Sequence, residues 1–211
     1  MARRLGPRSK ISRRIGEKLQ LKGERDLSAK HAYTRRSYPP GKQGPKGYPR
    51  LTEYGTQQRE KQKLRALFGV MERQFSRYVA IATTYKGETG SKLLDLLERR
   101  IDNTIFRAHL ATSRTQARQL VSHGHVLVNG KRITVPSLEV RPGDTFEVRE
   151  RSKGNAFFKE RAAAIGSLKY DPPAWITFDL AALKGKIERN PNPDEFEQGI
   201  NTRLIVEFYS R

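Results

Sequence analysis

The sequence predicts an α+β chain: a helical N-terminal domain with a basic arm, and a helix-helix-antiparallel-sheet domain. Three observations carry this. Apolar residues recur at helical spacing from about residue 52 to 123 and at two-residue spacing beyond Gly124. Asn129-Gly130, set between Val126/Val128 and Ile133/Val135, is the strongest short-range hairpin signal. Residues 1–50 hold 15 Lys+Arg against 3 Asp+Glu with little apolar periodicity, which reads as an arm rather than a core. The expected divisions are 1–50 for the basic arm and loop, 51–90 for the helical domain, and 91–195 for the helix-helix-sheet domain with its core at 98–150.

The elements follow in order. MARRLGPRSKISRRIGEKLQLKG and the Tyr/Pro/Gly-rich YPPGKQGPKGYP cannot bury enough apolar surface to order themselves alone, so the arm is expected to order against a polyanion. Thr52 caps a polar, basic helix to Phe68, and Gly69 ends it. A second helix runs from about Val70 to Tyr85, with Met71, Phe75, Tyr78, Val79 and Ala82 as its apolar stripe. After a linker to Gly90, Ser91 opens a helix reaching about Ala108, lined by Leu94, Leu97, Ile101 and Ile105. Ser113 and Gln116 form a capping box for a short helix that Gly124 stops.

Strands then begin: the Asn129-Gly130 hairpin, a type II turn at Arg141-Pro142-Gly143-Asp144, and a strand over 145–149. A helix over 156–165, a strand over 175–178 and a loop at 190–193 follow. Residues 200–209 are pulled both ways. Their Val/Ile/Phe content favours a strand, while the spacing of Ile200, Leu204, Ile205 and Phe208 favours the helix, which is preferred.

The charge indicates the partner. With 42 Lys+Arg against 22 Asp+Glu the net charge is +20, and a pI near 10.5 lies above the range where nucleic-acid binding becomes the leading reading. There is no cysteine, hence neither disulfide nor thiolate metal site. No apolar run approaches the ~18 residues of a membrane span. Pro7 and several glycines argue against an amphipathic targeting helix at the Arg-rich start. No P-loop, G-x-S-x-G or cysteine nucleophile is present. His123 and His125 lack carboxylate partners at metal spacing, and Asp95, Glu98 and Asp102 are expected to pair with Arg99 and other cations. An enzyme is therefore not expected, nor a metal or other cofactor.

The contacts expected for RNA fall into three groups. In the arm they are Arg3, Arg4, Arg8, Lys10, Arg13 and Arg14. On the helices after it they are Arg59, Lys61, Lys63 and Arg73. On the Ser113 helix and hairpin they are Arg114, Thr115, Gln116, Arg118, Gln119, Ser122, His123, Asn129 and Lys131. Arg114, Arg118 and Ser122 share one helix side at i, i+4, i+8, and Lys131 and Arg132 follow the turn. Rigid cations at fixed separation suit an RNA backbone read by shape. Tyr33, Tyr38 and Tyr48 are placed either to stack on bases or to pack on proline rings.

LLDLLERRIDNTIFRAHLATSRTQARQLVSHGHVLVNGK resembles the RNA-binding domain named after ribosomal protein S-four, shared by pseudouridine synthases, tyrosyl-tRNA synthetases and heat-shock RNA binders. The opening MARRLGPRSKISRRIGEKL, YPPGKQG, LTEYGTQQREKQKLRALFGVMERQF and the ending LIVEFYSR are similar to the ribosomal S-four family itself, so the resemblance spans nearly the whole chain. It implies a fold in which the RNA-binding domain, 91–195, is inserted into the helical domain, which 196–211 completes, and a primary binder of small-subunit rRNA on a helix junction of the 5′ domain, one that helps start subunit assembly. It also implies contact with ribosomal protein S-five and other small-subunit proteins, influence on decoding accuracy, and a place on the cytoplasmic ribosome, with no membrane. Lys42, Lys46 and Arg50 would line the path by which mRNA enters. Some members bind zinc through an N-terminal cysteine cluster. This chain lacks those cysteines, so zinc is not carried over and packing and RNA must hold that region.

Overall fold

A computed structural model describes residues 6–167 and 172–210. In chain order the helices are α1 (Arg8–Ile15), α2 (Glu24–Leu27), α3 (Ala32–Arg35), α4 (Glu53–Leu67), α5 (Glu72–Thr83), α6 (Thr89–Glu98), α7 (Ile101–Arg107), α8 (Arg114–Ser122), α9 (Glu150–Lys153), α10 (Ala156–Ser167) and α11 (Thr202–Tyr209). The strands are β1 (Val126–Val128), β2 (Lys131–Ile133), β3 (Thr145–Val148), β4 (Ile176–Asp179) and β5 (Lys184–Ile187). Two compact units result: Met1–Leu94 with Glu197–Arg211, and Asp95–Phe196.

In the first unit the described part of the arm carries α1, α2 and α3. Ile11, Ile15, Leu19 and Leu21 are buried, and α1 packs against α3 and α4. Side chains then do what a long apolar stripe would otherwise do. Asp26 accepts the backbone N–H groups of Leu21 and Lys22, both at 2.8 Å. Buried His31 meets the Leu19 carbonyl through Nε2 at 3.3 Å and accepts from the Tyr33 N–H through Nδ1 at 3.2 Å. These bonds satisfy backbone groups that burial would otherwise strand. They hold a segment in which the sequence offers no cysteine cluster.

Thr52 caps α4, its hydroxyl accepting from the Gly55 N–H at 3.2 Å. Phe75, Tyr78, Val79 and Ala82 bury one face of α5, but Met71 sits at its N-cap and is exposed rather than part of the stripe. Residues 202–209 are helical. Asn201 caps α11, Ile205 is fully buried and α11 packs on α4. The ring centroids of Tyr54 and Phe208 lie 5.4 Å apart, and those of Phe75 and Tyr209 6.1 Å. The helical spacing of the apolar residues prevails over their β propensity because it gives a helix one face to bury.

The second unit corrects the predicted helix over 91–108. Ser91 lies inside α6, not at its cap, and the helix stops at Glu98; α7 begins at Ile101. Between them Arg99 is in a turn and Arg100 is extended, bridged to Glu139 of a neighbouring segment. Ile101 N–H donates to Leu138 O and Val140 N–H to Arg99 O, each at 2.8 Å. No Gly or Pro marks this break. Tertiary pairing imposes it.

The sheet is antiparallel, in the order β2-β1-β3-β5-β4. Asn129 and Gly130 both have positive φ, 49° and 75°, as a type I′ hairpin requires. Gly143 at φ 90° fits the type II turn. β2 ends at Ile133, leaving Val135 exposed, and its exposed Lys131 and Arg132 blunt a sheet edge. β5 had no sequence signature. It lies between β3 and β4, so the core extends well beyond residue 150. Gly185 makes room there: it pairs with both Phe146 and Phe178, whose rings stack at 6.2 Å. Trp175, Ile176 and Ile187 join Ile101, Ile105, Val121, Val126 and Phe146 in one cluster.

Candidate nucleic-acid interface

α7 and α8 pack against each other, and α7 supplies a buried polar frame for the arginines of α8. Arg100 and Asp102, both buried, form a two-point pair with Nε–Oδ1 at 3.0 Å and Nη2–Oδ2 at 2.6 Å. Arg118 reaches the same Asp102 carboxylate at 3.8 Å. Buried Glu98 holds Arg107 at 3.0 and 2.6 Å and accepts from the Asn103 amide at 2.6 Å. Asn103 Oδ1 accepts from Arg114 Nε at 2.8 Å, and the Arg114 guanidinium lies over the Phe106 ring at 4.6 Å. Asp95 pairs with Arg99 at 3.4 Å. The three carboxylates pair with cations as expected, though from two helices rather than one. Arg114 and Arg118 are thus partly buried and fixed from behind, not mobile surface cations.

Ser113 caps α8 by accepting from Gln116 N–H at 3.3 Å, but the predicted box is only half made. Gln116 Oε1 turns instead to Thr112, taking its N–H at 2.7 Å and its hydroxyl at 2.8 Å. Gln119, Ser122 and His123 are exposed along α8 and its end, and Thr115 partly so. Lys131 is exposed on the hairpin. Arg132, which the contact set omitted, lies against the left-handed Gly124 and donates to the His123 carbonyl at 3.4 Å, so it is locked beside the helix end. Asn129 is solvent-exposed yet its amide works internally, accepting from Thr145 N–H at 2.9 Å and donating to Asp144 at 2.8 Å. It clamps the hairpin turn to the start of β3.

In the first unit the expected set separates. Arg3 and Arg4 lie outside the described residues. Five cations assigned to phosphates turn inward. Arg8 bonds Leu21 O at 3.2 Å, and burial lowers its pKa against the opposing pull of Asp26. Arg13 bonds Tyr38 O and Pro39 O at 3.0 and 3.1 Å and covers the Tyr38 ring at 4.8 Å. Arg59 bonds Ile15 O at 2.7 Å and covers Tyr48 at 5.2 Å. Lys61 pairs with Glu72 at 3.2 Å over the Phe208 ring. Lys63 pairs with Glu17 at 2.6 Å and bonds Gly199 O. Tyr38 and Tyr48 therefore stack under arginines.

Lys10, Arg14, Arg73, Lys42, Lys46 and Arg50 remain exposed. A surface cleft of about 240 Å³ is lined by Ser9, Lys10, Arg13, Arg25, Lys30, Ala32, Arg35 and Arg36. No acidic residue is among those that line it, so its lining is cationic. The sequence reading missed Arg25, Lys30, Arg35 and Arg36 because only charge density, not spacing, signalled them. Among the described residues no group of three or more His, Asp or Glu is placed to hold a metal. No helix among them is long and apolar enough to cross a membrane.

The helix pair, hairpin and basic rim define the class: residues 99–146 match the family described as the S4 domain. Residues 3–98 match the family described as the ribosomal protein S4/S9 N-terminal domain. Over its full length the chain is 46% identical to small ribosomal subunit protein uS4 of Thermus thermophilus, covering all of both chains across 211 residues. It is 46% identical to the uS4 protein of Roseiflexus castenholzii and 47% to the uS4A protein of Symbiobacterium thermophilum, again over the whole of each chain. The chain belongs to the uS4 family of small ribosomal subunit proteins. The relatives are named as ribosomal proteins, not as enzymes.

Proposed function

We propose that the chain is a primary binder of small-subunit rRNA that seats on a helix junction of the 5′ domain and nucleates assembly of the subunit body. The observation that carries this reading is identity of 46% over the whole of both chains to a small-subunit uS4 protein, flanks included, since proteins sharing only the S4 domain would lack those flanks. The electrostatics agree. The contact set is Lys10, Arg14 and Arg73 in one unit, and Thr115, Gln119, Ser122, His123 and Lys131 in the other, beside the fixed Arg114 and Arg118. Phosphates and 2′-hydroxyls are its targets, because fixed cations match the shape of an RNA backbone rather than its sequence.

The same reading gives the chain ribosomal protein S-five as a neighbour and a role in decoding accuracy. It sets exposed Lys42, Lys46 and Arg50 beside the path by which mRNA enters. Binding of the purified chain to a 5′-domain rRNA fragment, a large-subunit fragment and tRNA, all at one high salt concentration, tests the core of it. Strong preference for the 5′-domain fragment is expected. Equal binding to all three would reduce the chain to a general polyanion binder, since phosphate attraction alone does not discriminate.

A further inference from the structure

We infer that the cleft beside α8 and α10 takes one unstacked base of the bound RNA. This deepens the rRNA-binding reading and rests on it. The cleft is about 240 Å³ and is lined by Gln116, Gln119, Leu120, His123, His125, Asn155, Phe157 and Phe158. That is below the ~300–1,000 Å³ of pockets for drug-sized molecules, so its occupant is a single flat group.

The lining chemistry is the opposite of the cation-lined cleft in the first unit. It contains no Lys, Arg, Asp or Glu. Burial first, then the charges of His123, Arg132 and Arg149, lower the pKa of His125, so its imidazole is neutral at neutral pH. Arg132 and Arg149 thus lie near a neutral pocket. A polyanion that docks its phosphates on the surrounding cations can offer such a pocket a ribose or a base, and of the two only the base has a flat face to stack on rings.

The rings are set for stacking. His125 meets Phe158 edge-on at 6.0 Å, Phe157 meets Phe158 at 5.1 Å, and His123 lies 6.1 Å from His125. Buried Phe158 and the His125–Ser152 hydrogen bond of 2.9 Å fix this wall. Phe157, partly buried against the core, is left as the stacking face. The amides supply the edge recognition. Gln116 Oε1 is already taken by Thr112, so its Nε2 is the end left to donate to a base carbonyl or ring nitrogen. Stacking plus hydrogen bonds to a base edge is how proteins hold unpaired RNA bases.

The test uses the full chain and whichever of the three RNAs the wild type binds tightest, with Phe157→Ala, Phe157→Leu and Phe157→Tyr. Fragment preference then tests the rRNA reading, and the Phe157 series tests the pocket separately. Phe157→Ala and Phe157→Leu are expected to weaken binding about 5- to 150-fold, the usual worth of one base–aromatic stack, with the slope of affinity against salt unchanged. Phe157→Tyr, which keeps the ring, is expected to bind like the wild type. Ultraviolet cross-linking should join the Phe157 peptide to a single nucleotide. Wild-type binding by Phe157→Ala would overturn the inference. So would a Leu variant that binds normally, since it would show that apolar packing and not the ring is what matters.

Discussion

Arg114 donates through Nε to the side-chain oxygen of Asn103, 2.8 Å away, and Asn103 spends its amide hydrogens on the backbone and carboxylate of Glu98. One buried amide thus ties an arginine of α8 to the end of α6. An amide serves both ends, its oxygen accepting from a cation and its nitrogen donating to an anion.

Asn103→Ala should therefore cost about 1–3 kcal/mol, the usual penalty for leaving buried partners unsatisfied. Asn103→Asp should cost more, because it sets a second carboxylate where the amide lies 2.6 Å from buried Glu98. Denaturant unfolding of both variants checks the order. An Asp variant as stable as the wild type would show that the Asn103–Glu98 hydrogen bond contributes nothing to stability.

Glu72 accepts from Tyr209 at 2.6 Å and from Lys61 at 3.2 Å, with Arg65 close by, also at 2.6 Å. Burial alone would raise its pKa, but these hydrogen bonds and the Arg65 charge outweigh it and hold Glu72 below the ordinary 4.5. A depressed carboxylate stabilises the fold above its unfolded-state pKa and loses that contribution as pH falls through the lower folded value. Glu72→Gln should therefore lower the melting temperature at neutral pH, and the gap from the wild type should close as pH drops below about 4.5. Because Glu72 is nearly half exposed, solvent screening keeps the effect modest. A gap that stays constant down to acid pH would mean the loss is packing around Tyr209.

How much of this was legible varies with the kind of interaction. The Asn129-Gly130 hairpin, the Thr52 cap and the α11 stripe are local patterns, and each formed where the spacing put it. The break at Arg99-Arg100 and the strand Lys184–Ile187 are not local. Both exist because a distant backbone offers hydrogen bonds, at 138–140 and at β3 and β4. The internal pairing of several cations is non-local in the same way. Lys61, Lys63 and Arg59 look in the sequence like any other solvent-facing cations. Only the fold shows them covering aromatic rings or bonding to carbonyls.

Gly185 explains why β5 is invisible to strand propensity yet central to the sheet. A Cβ there would come within 2.3 to 2.9 Å of three atoms of the buried Phe146 ring. That ring is pinned by the core and by Phe178, so it has nowhere to move. Gly185→Ala should destabilise by about 1–3 kcal/mol, the range for overpacking, although alanine is otherwise the better strand residue. Gly130→Ala meets no neighbour within 4 Å, and its penalty comes only from the left-handed φ of 75°. Melting curves should separate the two, and a Gly185→Ala protein as stable as the wild type would show that the Phe146 ring can yield.

The last prediction separates cations that only bind from cations that also hold the fold. Lys131 is exposed on the hairpin edge. Lys131→Ala should lower the slope of log affinity against log salt by about one, as expected for one lost phosphate contact, with an unchanged melting temperature. Arg114→Ala combined with Arg118→Ala should behave differently. It removes the donor to buried Asn103 and one cation near buried Asp102, so stability falls together with affinity. Salt-series binding and thermal melts on the same preparations read both quantities. If the double variant melts like the wild type, the polar frame of α7 is complete without α8. If Lys131→Ala keeps the wild-type salt slope, the hairpin edge does not touch phosphate.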